Sequence, residues 1–382
     1  NLYIFMFSCL MGGCKSSHGL SKLSQVSTEF LQCPYFITGL SDGESSFCVS
    51  ISKYKKLKTG WLVRAVFRIE LHSREISLLY GIQSFFGVGN ISIGKTRDTV
   101  AYSVGSTQDL TNVIIPHFLK YPLITQKRAD FLLFKSVIDL MNKGEHLTTE
   151  GLAKIVSIRA SMNNGLSAVL TESFPNITPF DRPKIEDQEI IDPNWIAGFT
   201  TAEGCFDVKL TNSKTHKTEH QIRLRFRICQ HSRDIKLINS IIKYLNCGMV
   251  EARSKLNFVE LVVTKFSDIE HKIIPFFHKY PIQGIKSLDY KDFCTIASPP
   301  SLACNIPPPS PSTPPTFQTI TLVLVMKRWG GVKWGEGGGI CCPPPIATKW
   351  AGGGTLPPPW TPPSSSSKMM GGVQGGGLVV LS

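Results

Sequence analysis

Two glutamates, Glu44 and Glu203, each follow a run of small residues, and this pattern has the clearest chemical potential in the chain. Gly39 and Gly43 are four residues apart, as are Gly198 and Ala202. Residues at i and i+4 share one face of a helix, so each segment carries a stripe without bulky side chains where another backbone can come close. If the two stripes pack together, Glu44 and Glu203 emerge side by side at the helix ends. Two carboxylates beside backbone carbonyls form a hard-oxygen site suited to Mg2+. A metal ion held there can activate water and stabilise the leaving oxygen of a phosphodiester. Seen once, a small-residue helix ending in Glu would be a tight helix crossing with a solvated acid. Its recurrence in register with two whole domains favours a catalytic pair. Asp42 has Thr201 in its place in the second segment, so it reads as a capping or packing residue.

The elements that must bring the two acids together are themselves duplicated, at a constant offset of 159 residues. Residues 36–47 align with 195–206, 67–74 with 226–233, and 115–122 with 274–281. Gly89, Lys127 and Phe134 align with Gly248, Lys286 and Phe293. Each copy reads as helix, two strands, helix, two strands, helix. The expected class is α+β, with two pseudo-symmetric αββαββα domains at 31–168 and 194–298 and a Pro-containing linker at 169–193. Asp192 and Pro193 supply an N-cap and a first helical residue for the second copy. The first copy continues into a helix through Met141 and another over 149–162. Register fails after position 298, so the second copy is expected to lack these last helices and to be the looser half. Of the 25 prolines 16, and of the 32 glycines 14, fall in the last 84 residues, a composition that cannot supply a packed core. Residues 299–382 are expected to be disordered. Residues 1–30 are expected to be an unstructured extension, since the apolar start has no basic region ahead of it and does not read as a secretion signal.

Lys and Arg number 41 against 28 Asp and Glu, a net charge of +13 that attracts polyanions. No stretch approaches the roughly 20 apolar residues of a membrane span. The 11 cysteines show no C-x-x-C pairing, which disfavours a zinc site or a disulfide framework and fits a reducing compartment. In the strands 61–72 and 219–231, a period of two places Arg64 and Arg68, and then Arg223, Arg225 and Arg227, on one face. Such a row repels itself unless an anion lies over it. Ser46, Cys48 and Ser50 adjoin the first row, and Cys205, Asp207 and Lys209 the second. Together they form two faces expected to contact double-stranded DNA, with Lys53, Lys55, Lys56 and Lys58 adding phosphate contacts. Matching places carry different residues, so the expected target is non-palindromic. His72 and His231 lack a second ligand at metal-binding spacing and read as structural or phosphate-contacting.

The paired segments resemble the double motif of the LAGLIDADG homing endonucleases, in the single-chain form found in fungal mitochondrial introns. The likeness runs from Pro34 to Ala297 and includes the phrases ending in Lys127 and Asp268. It implies saddle-shaped antiparallel sheets that straddle DNA, with Glu44 and Glu203 as metal-binding catalytic acids. It further implies main-chain carbonyl ligands from Gly43 and Ala202, and Lys127 and Lys286 near the scissile phosphates. Gln230 falls where the family has a polar residue ordering water, with Leu71 at the matching place. Mg2+ or another divalent cation, a monomeric state and a mitochondrial location follow from the same resemblance. So does site-specific double-strand cleavage at a long site. Two alternatives on this scaffold are an RNA-binding maturase acting on intron RNA, and an inactive relic that the aberrant C-terminus would explain.

Overall fold

A computed structural model describes residues 33–297 apart from 213–219 and 254–256. The extension at 1–30, the tail at 299–382 and any helix closing the second repeat after Ala297 lie outside the described residues. The first repeat opens with α1 (Pro34–Glu44), where proline at the start loses no helical hydrogen bond. Then come β1 (Ser45–Lys53), β2 (Trp61–His72), α2 (Ile76–Phe86), β3 (Asn90–Ile93) and β4 (Thr99–Val104). The short α3 (Thr107–Asp109) leads through a π turn at Leu110–Ile114 into α4 (Ile115–Lys120) and α5 (Lys127–Asn142). Two further helices, α6 (Thr149–Ala160) and α7 (Ala168–Ser173), precede the second repeat.

That repeat reproduces the first: α8 (Pro193–Glu203), β5 (Gly204–Asn212), β6 (His220–His231), α9 (Ile235–Leu245), β7 (Met249–Arg253) and β8 (Phe258–Val263). The α10 segment (Phe266–Asp268), a π turn at Ile269–Ile273, α11 (Ile274–Lys279) and α12 (Lys286–Ala297) follow. Asp192 caps α8 by accepting from Asn194 N at 2.8 Å. The sheets are antiparallel with orders β1-β2-β4-β3 and β5-β6-β8-β7. The two-domain α+β architecture is therefore as the duplication implied. Among the described residues no helix is long and apolar enough to cross a membrane.

Each sheet packs its apolar face against its own helices through the same aromatic cluster. Phe47 lies 5.2 to 5.5 Å, centroid to centroid, from Phe67, Phe118, Phe131 and Phe134. Phe206 lies 5.1 to 5.6 Å from Phe226, Phe277, Tyr290 and Phe293, the counterparts of those rings. Rings at these separations contribute beyond their buried area, so one core was copied with its sequence. Helix α6 adds Leu152, Ile155, Val156 and Ile158 to the first core.

The stretch expected to be a plain linker departs from that description. Its first residues belong to α7, and the rest, though without regular structure, is fastened to the first domain. Ser157 Oγ donates to Thr178 O at 2.6 Å, and Arg182 makes two 2.8 Å bonds to the Asp130 carboxylate. Gln188 is buried and donates to Ile124 O at 3.0 Å. Satisfied polar anchors let an irregular segment run along a protein surface without loss of order.

Helices α1 and α8 pack at backbone distance. A Cβ added to Gly39 would collide with the Trp195 carbonyl oxygen and stand 2.8 Å from Phe199 N. One added to Gly198 would collide with the Phe36 carbonyl oxygen and stand 2.9 Å from Leu40 N. Further along, a Cβ on Gly43 would overlap that of Ala202. Both close approaches occur in the same order along the two helices, which therefore run side by side and end together. Because the atoms met are backbone and cannot swing away, Gly198→Ala should destabilise the protein by about 3 kcal/mol, the upper part of the overpacking range. Urea titration measures this, and an unchanged midpoint would contradict the packing described.

His117 on α4 is buried where the second repeat has Phe276, and its Nε2 lies 3.2 Å from Thr38 Oγ1. Burial holds the imidazole pKa down to about 4 from 6.5. A depressed folded pKa adds stability present above pH 6.5 and lost as pH falls towards about 4. The lost part is about 3 kcal/mol. His117→Phe should flatten the stability profile across that window, as pH-resolved thermal melts will show.

Candidate active site

Glu44 and Glu203 are the last residues of α1 and α8, so the helix crossing delivers both to one place. A Cβ on Gly43 would lie 3.2 Å from Glu203 Cγ and 3.5 Å from its Oε1, which sets the Glu203 side chain over the backbone that leads into Glu44. Lys127 begins α5 and its Nζ donates to Ser41 O at 3.0 Å and Gly43 O at 2.8 Å. Lys286 begins α12 and its Nζ donates to Thr200 O at 3.2 Å and Ala202 O at 2.9 Å. The final carbonyls of a helix carry its negative dipole end, so an ammonium is well placed there. The Gly43 and Ala202 carbonyls, expected as metal ligands, thus each accept a lysine proton and keep a second lone pair.

Electrostatics unite these groups. Burial pushes the Glu44 carboxyl above its usual range; Lys127 and Lys286 pull it back, while Glu75 and Glu70 push it further. Burial also lowers the Lys127 pKa, against Asp42, Glu203 and Glu44, which hold its proton. Each acid feels lysines and each lysine feels acids across the pseudo-twofold axis.

Besides Asp42, acids that hold the turns ahead of the lysines were not singled out by their sequence context. Asp42, 2% exposed, accepts from Ile124 N at 3.0 Å, Thr125 N at 3.2 Å, Thr125 Oγ1 at 2.6 Å and Trp195 Nε1 at 2.8 Å. Burial lifts its carboxyl to about 6, although these donors and Lys127 all oppose the lift. It is the packing residue its unmatched position suggested, fixing the turn before Lys127. Thr201 at the equivalent place accepts from Gln283 N at 3.4 Å. Asp234 accepts from Gln126 N at 2.9 Å, and both Glu75 oxygens accept from Ile285 N, at 3.1 and 3.0 Å. Glu75 and Asp234 are also 159 apart, an acid retained in register that could have drawn notice.

Gln230 does not join the cluster, which corrects its expected role. Strand alternation puts it on the face of Phe226 and Ile228, opposite Val259 in register, and that face is covered by helices. Its Oε1 accepts from His231 N at 3.1 Å, and its counterpart Leu71 is core. The opposite parity carries Glu70 and Cys229 towards the open face instead.

The open sheet faces also differ from the expected arginine rows. On the first, Cys48, Ser50 and Arg64 are exposed, Ser46 is half-buried, and Arg68 pairs with Glu70 at 2.9 Å, while Lys53, also exposed, has the parity of the apolar face and lies at the strand end with its Nζ 5.8 Å from the Trp61 ring. On the second, Asp207 accepts from Arg225 Nε at 2.7 Å and from Arg227 Nε at 2.7 Å, and Arg227 Nη1 donates to Glu260 at 3.1 Å. Arg227 and Asp207 are 5% and 6% exposed. The anion that relieves Arg225 and Arg227 is therefore internal, and Arg227 and Asp207 are turned into the network rather than outward. Arg223 and Lys209 face each other in register and are exposed. His72 and His231 cap the turns after β2 and β6, each Nδ1 accepting from the backbone N–H two residues on.

Comparison with known proteins agrees with this geometry. The family profile of the LAGLIDADG endonuclease matches residues 37–138 and 196–297. A probable intron-encoded endonuclease 3 of Neurospora crassa is 43% identical over 69% of this chain, and a probable intron-encoded endonuclease 2 of the same organism is 43% identical over 68%. The chain spans 50% and 58% of the length of those two relatives. Among solved structures, I-SmaMI bound to cleaved DNA matches with a TM-score of 0.68 at 46% identity, covering 69% of this chain and 88% of that one. I-LtrWI bound to target DNA matches with a TM-score of 0.68 at 40% identity, covering 71% and 90%. I-SmaMI has also been solved with calcium ions, and as an alanine double variant at two lysines whose numbers differ by 159. Two matched copies of one motif, in a fold shared with DNA-bound members, establish that this chain belongs to the LAGLIDADG endonuclease family.

Proposed function

We propose that the protein is a site-specific DNA endonuclease that makes a double-strand cut by metal-assisted phosphodiester hydrolysis. The observation that carries this reading is the meeting of Glu44 and Glu203 at the paired helix ends, flanked by Lys127 and Lys286. The 159-residue separation of these lysines is that of the two replaced together in I-SmaMI.

The donor set fits a hard divalent cation. Glu44 and Glu203 would hold Mg2+, with the Gly43 and Ala202 carbonyls beside them. Among the described residues no cluster of three or more His, Cys, Asp and Glu forms an all-protein cage. Mg2+ is commonly held by one or two carboxylates together with substrate phosphates. The lift of Glu44 by burial marks a carboxylate charge that the lysines only partly offset. When bound, the cation would supply an activated water and charge stabilisation for the leaving oxygen. Lys127 and Lys286 hold the helix-end carbonyls in place and present positive charge to an approaching phosphate. Asp42, Asp234 and Glu75 keep those lysines from swinging away.

The two sheets would straddle the duplex, with Lys53, Arg64, Arg223 and Lys209 as exposed contacts. Ser46, Ser50 and Arg68 add polar groups on the first face, and Arg225 does so on the second. Unequal faces fit a non-palindromic target. Intron-encoded relatives support a homing role, with a fungal mitochondrial gene as the target and a mitochondrial location for the protein. Calcium in the I-SmaMI complex supports divalent-ion dependence.

In plasmid cleavage at the uninterrupted host-gene junction, with Mg2+, Glu44→Gln or Glu203→Gln should slow cutting more than about 100-fold, beyond the loss caused by removing an outer-shell partner. Chelation with EDTA should stop it. Cutting that persists in EDTA or in the double variant would overturn the proposal. On the second sheet, Asp207→Ala should cost about 3–5 kcal/mol of folding stability by leaving arginine charge buried and unbalanced. Arg223→Ala should leave stability unchanged while weakening DNA binding in a salt-dependent way. Equal stability loss in the two variants would show the network misassigned.

A further inference from the structure

An acid of each repeat accepts from the backbone N–H immediately ahead of the other repeat's lysine. Glu75 of the first repeat accepts from Ile285 N through both oxygens, at 3.1 and 3.0 Å, immediately before Lys286. Asp234 of the second accepts from Gln126 N at 2.9 Å, immediately before Lys127. Ile285 and Gln126 are equivalent positions, and Glu75 and Asp234 are equivalent residues, both pairs 159 apart. Two crossed contacts related by the same pseudo-symmetry are a built arrangement rather than a chance surface bond.

The surroundings of the two contacts sharpen the point. Gly284 sits at φ +68°, a conformation that favours glycine, and a Cβ there would crowd the Glu75 carboxylate and make it shift. A carboxylate at the N-terminal end of a helix also complements its dipole, and α12 and α5 begin at Lys286 and Lys127. The second contact is reinforced. Asp234 also accepts from Gln188 Nε2 at 2.8 Å, and Arg182 Nη2 donates to Gln126 O at 3.3 Å. Asp42 holds the two residues before Gln126.

We infer that Glu75 and Asp234 are positioning residues, each contributed by one repeat to set the active-site lysine of the other. Glu75 governs Lys286 and Asp234 governs Lys127. The two centres are therefore separately addressable, and removing one acid weakens one centre while the other stays intact. The consequence for strand cleavage rests on the nuclease reading above; the positioning itself does not.

Two measurements on the full chain test this. In the first, brief acetylation with acetic anhydride is followed by peptide mass spectrometry. Glu75→Ala should raise Nζ labelling at Lys286 about tenfold relative to Lys127, the scale expected for losing hydrogen bonds to a charged acceptor. Asp234→Ala should raise Lys127 labelling selectively and by less, because Asp42 still holds that turn. Glu75→Gln, which keeps an acceptor oxygen, should recover most of the protection and serves if the alanine variant folds poorly. Equal labelling of both lysines, or a rise at the same lysine in both variants, would overturn the inference. In the second, a supercoiled plasmid carrying the intronless junction of the host gene is cut with Mg2+ present. The two alanine variants should accumulate nicked circles broken in opposite strands. Loss of both strands in parallel, as general destabilisation would give, counts against it. If the unaltered chain leaves the plasmid intact, the nuclease reading fails and the labelling result alone decides the positioning.

Discussion

The approach of α1 and α8 to backbone contact at Gly39 and Gly198 is the constraint on which the remaining geometry depends. Side chains between two helices normally set their separation and absorb small errors. Here main chain meets main chain, and the separation is fixed by atoms that have no rotamers. Glu44 and Glu203, one residue beyond the second point of contact, inherit that fixity. Burial and the acids Glu75 and Glu70 raise the Glu44 carboxyl, and the lysines on the last helical carbonyls pull it back.

The crossing alone would leave the lysines free, and the second layer of structure removes that freedom. Each lysine opens a helix, so its backbone is set by the turn before it, and each turn is held by carboxylates. On the first side the turn is gripped by Asp42, by Asp234 and by the strap that carries Arg182 and Gln188. On the second side it is gripped by Glu75 and Thr201. The two halves share a plan and differ in reinforcement. That difference follows from connectivity, because the strap from α7 to α8 passes along the first domain.

Much of this is legible in the sequence. The constant offset of 159 residues gave two domains, and Gly39, Gly43, Gly198 and Ala202 gave the helix pairing that joins the acids. The open strand faces were also readable by period two. Three things were not. Gln230 draws its expected role from the family resemblance, but a strand sends alternate residues to opposite sides, and this one falls on the helix side. The row of Arg223, Arg225 and Arg227 suggests an external anion, because Asp207 on the neighbouring strand reads in sequence as another contact and not as the counter-ion. The stretch at 169–193 looked like a spacer because polar, Pro-containing sequence resembles one. Its anchors, Asp130, Ile124 and Gln126, lie far away in sequence and become neighbours only on folding.

The network of Arg225, Asp207, Arg227 and Glu260 has a bearing on how this scaffold can change its preference. Where a surface side chain acts alone, exchanging it alters one contact and leaves the neighbours as they were. Here a single exchange unbalances three other charges, so most one-step variants at these positions would be lost to misfolding before any altered preference could be selected. Under the proposed DNA contact, new specificity on the second sheet would be more accessible by starting at Lys209 and Arg223, which stand outside the network, or by replacing all four members together with an apolar or neutral set. The first sheet, where among the described residues Arg68 answers to Glu70 alone and the neighbouring serines are small, would offer a smoother path. The two halves of one molecule would then evolve at different rates, the first by single steps and the second by jumps.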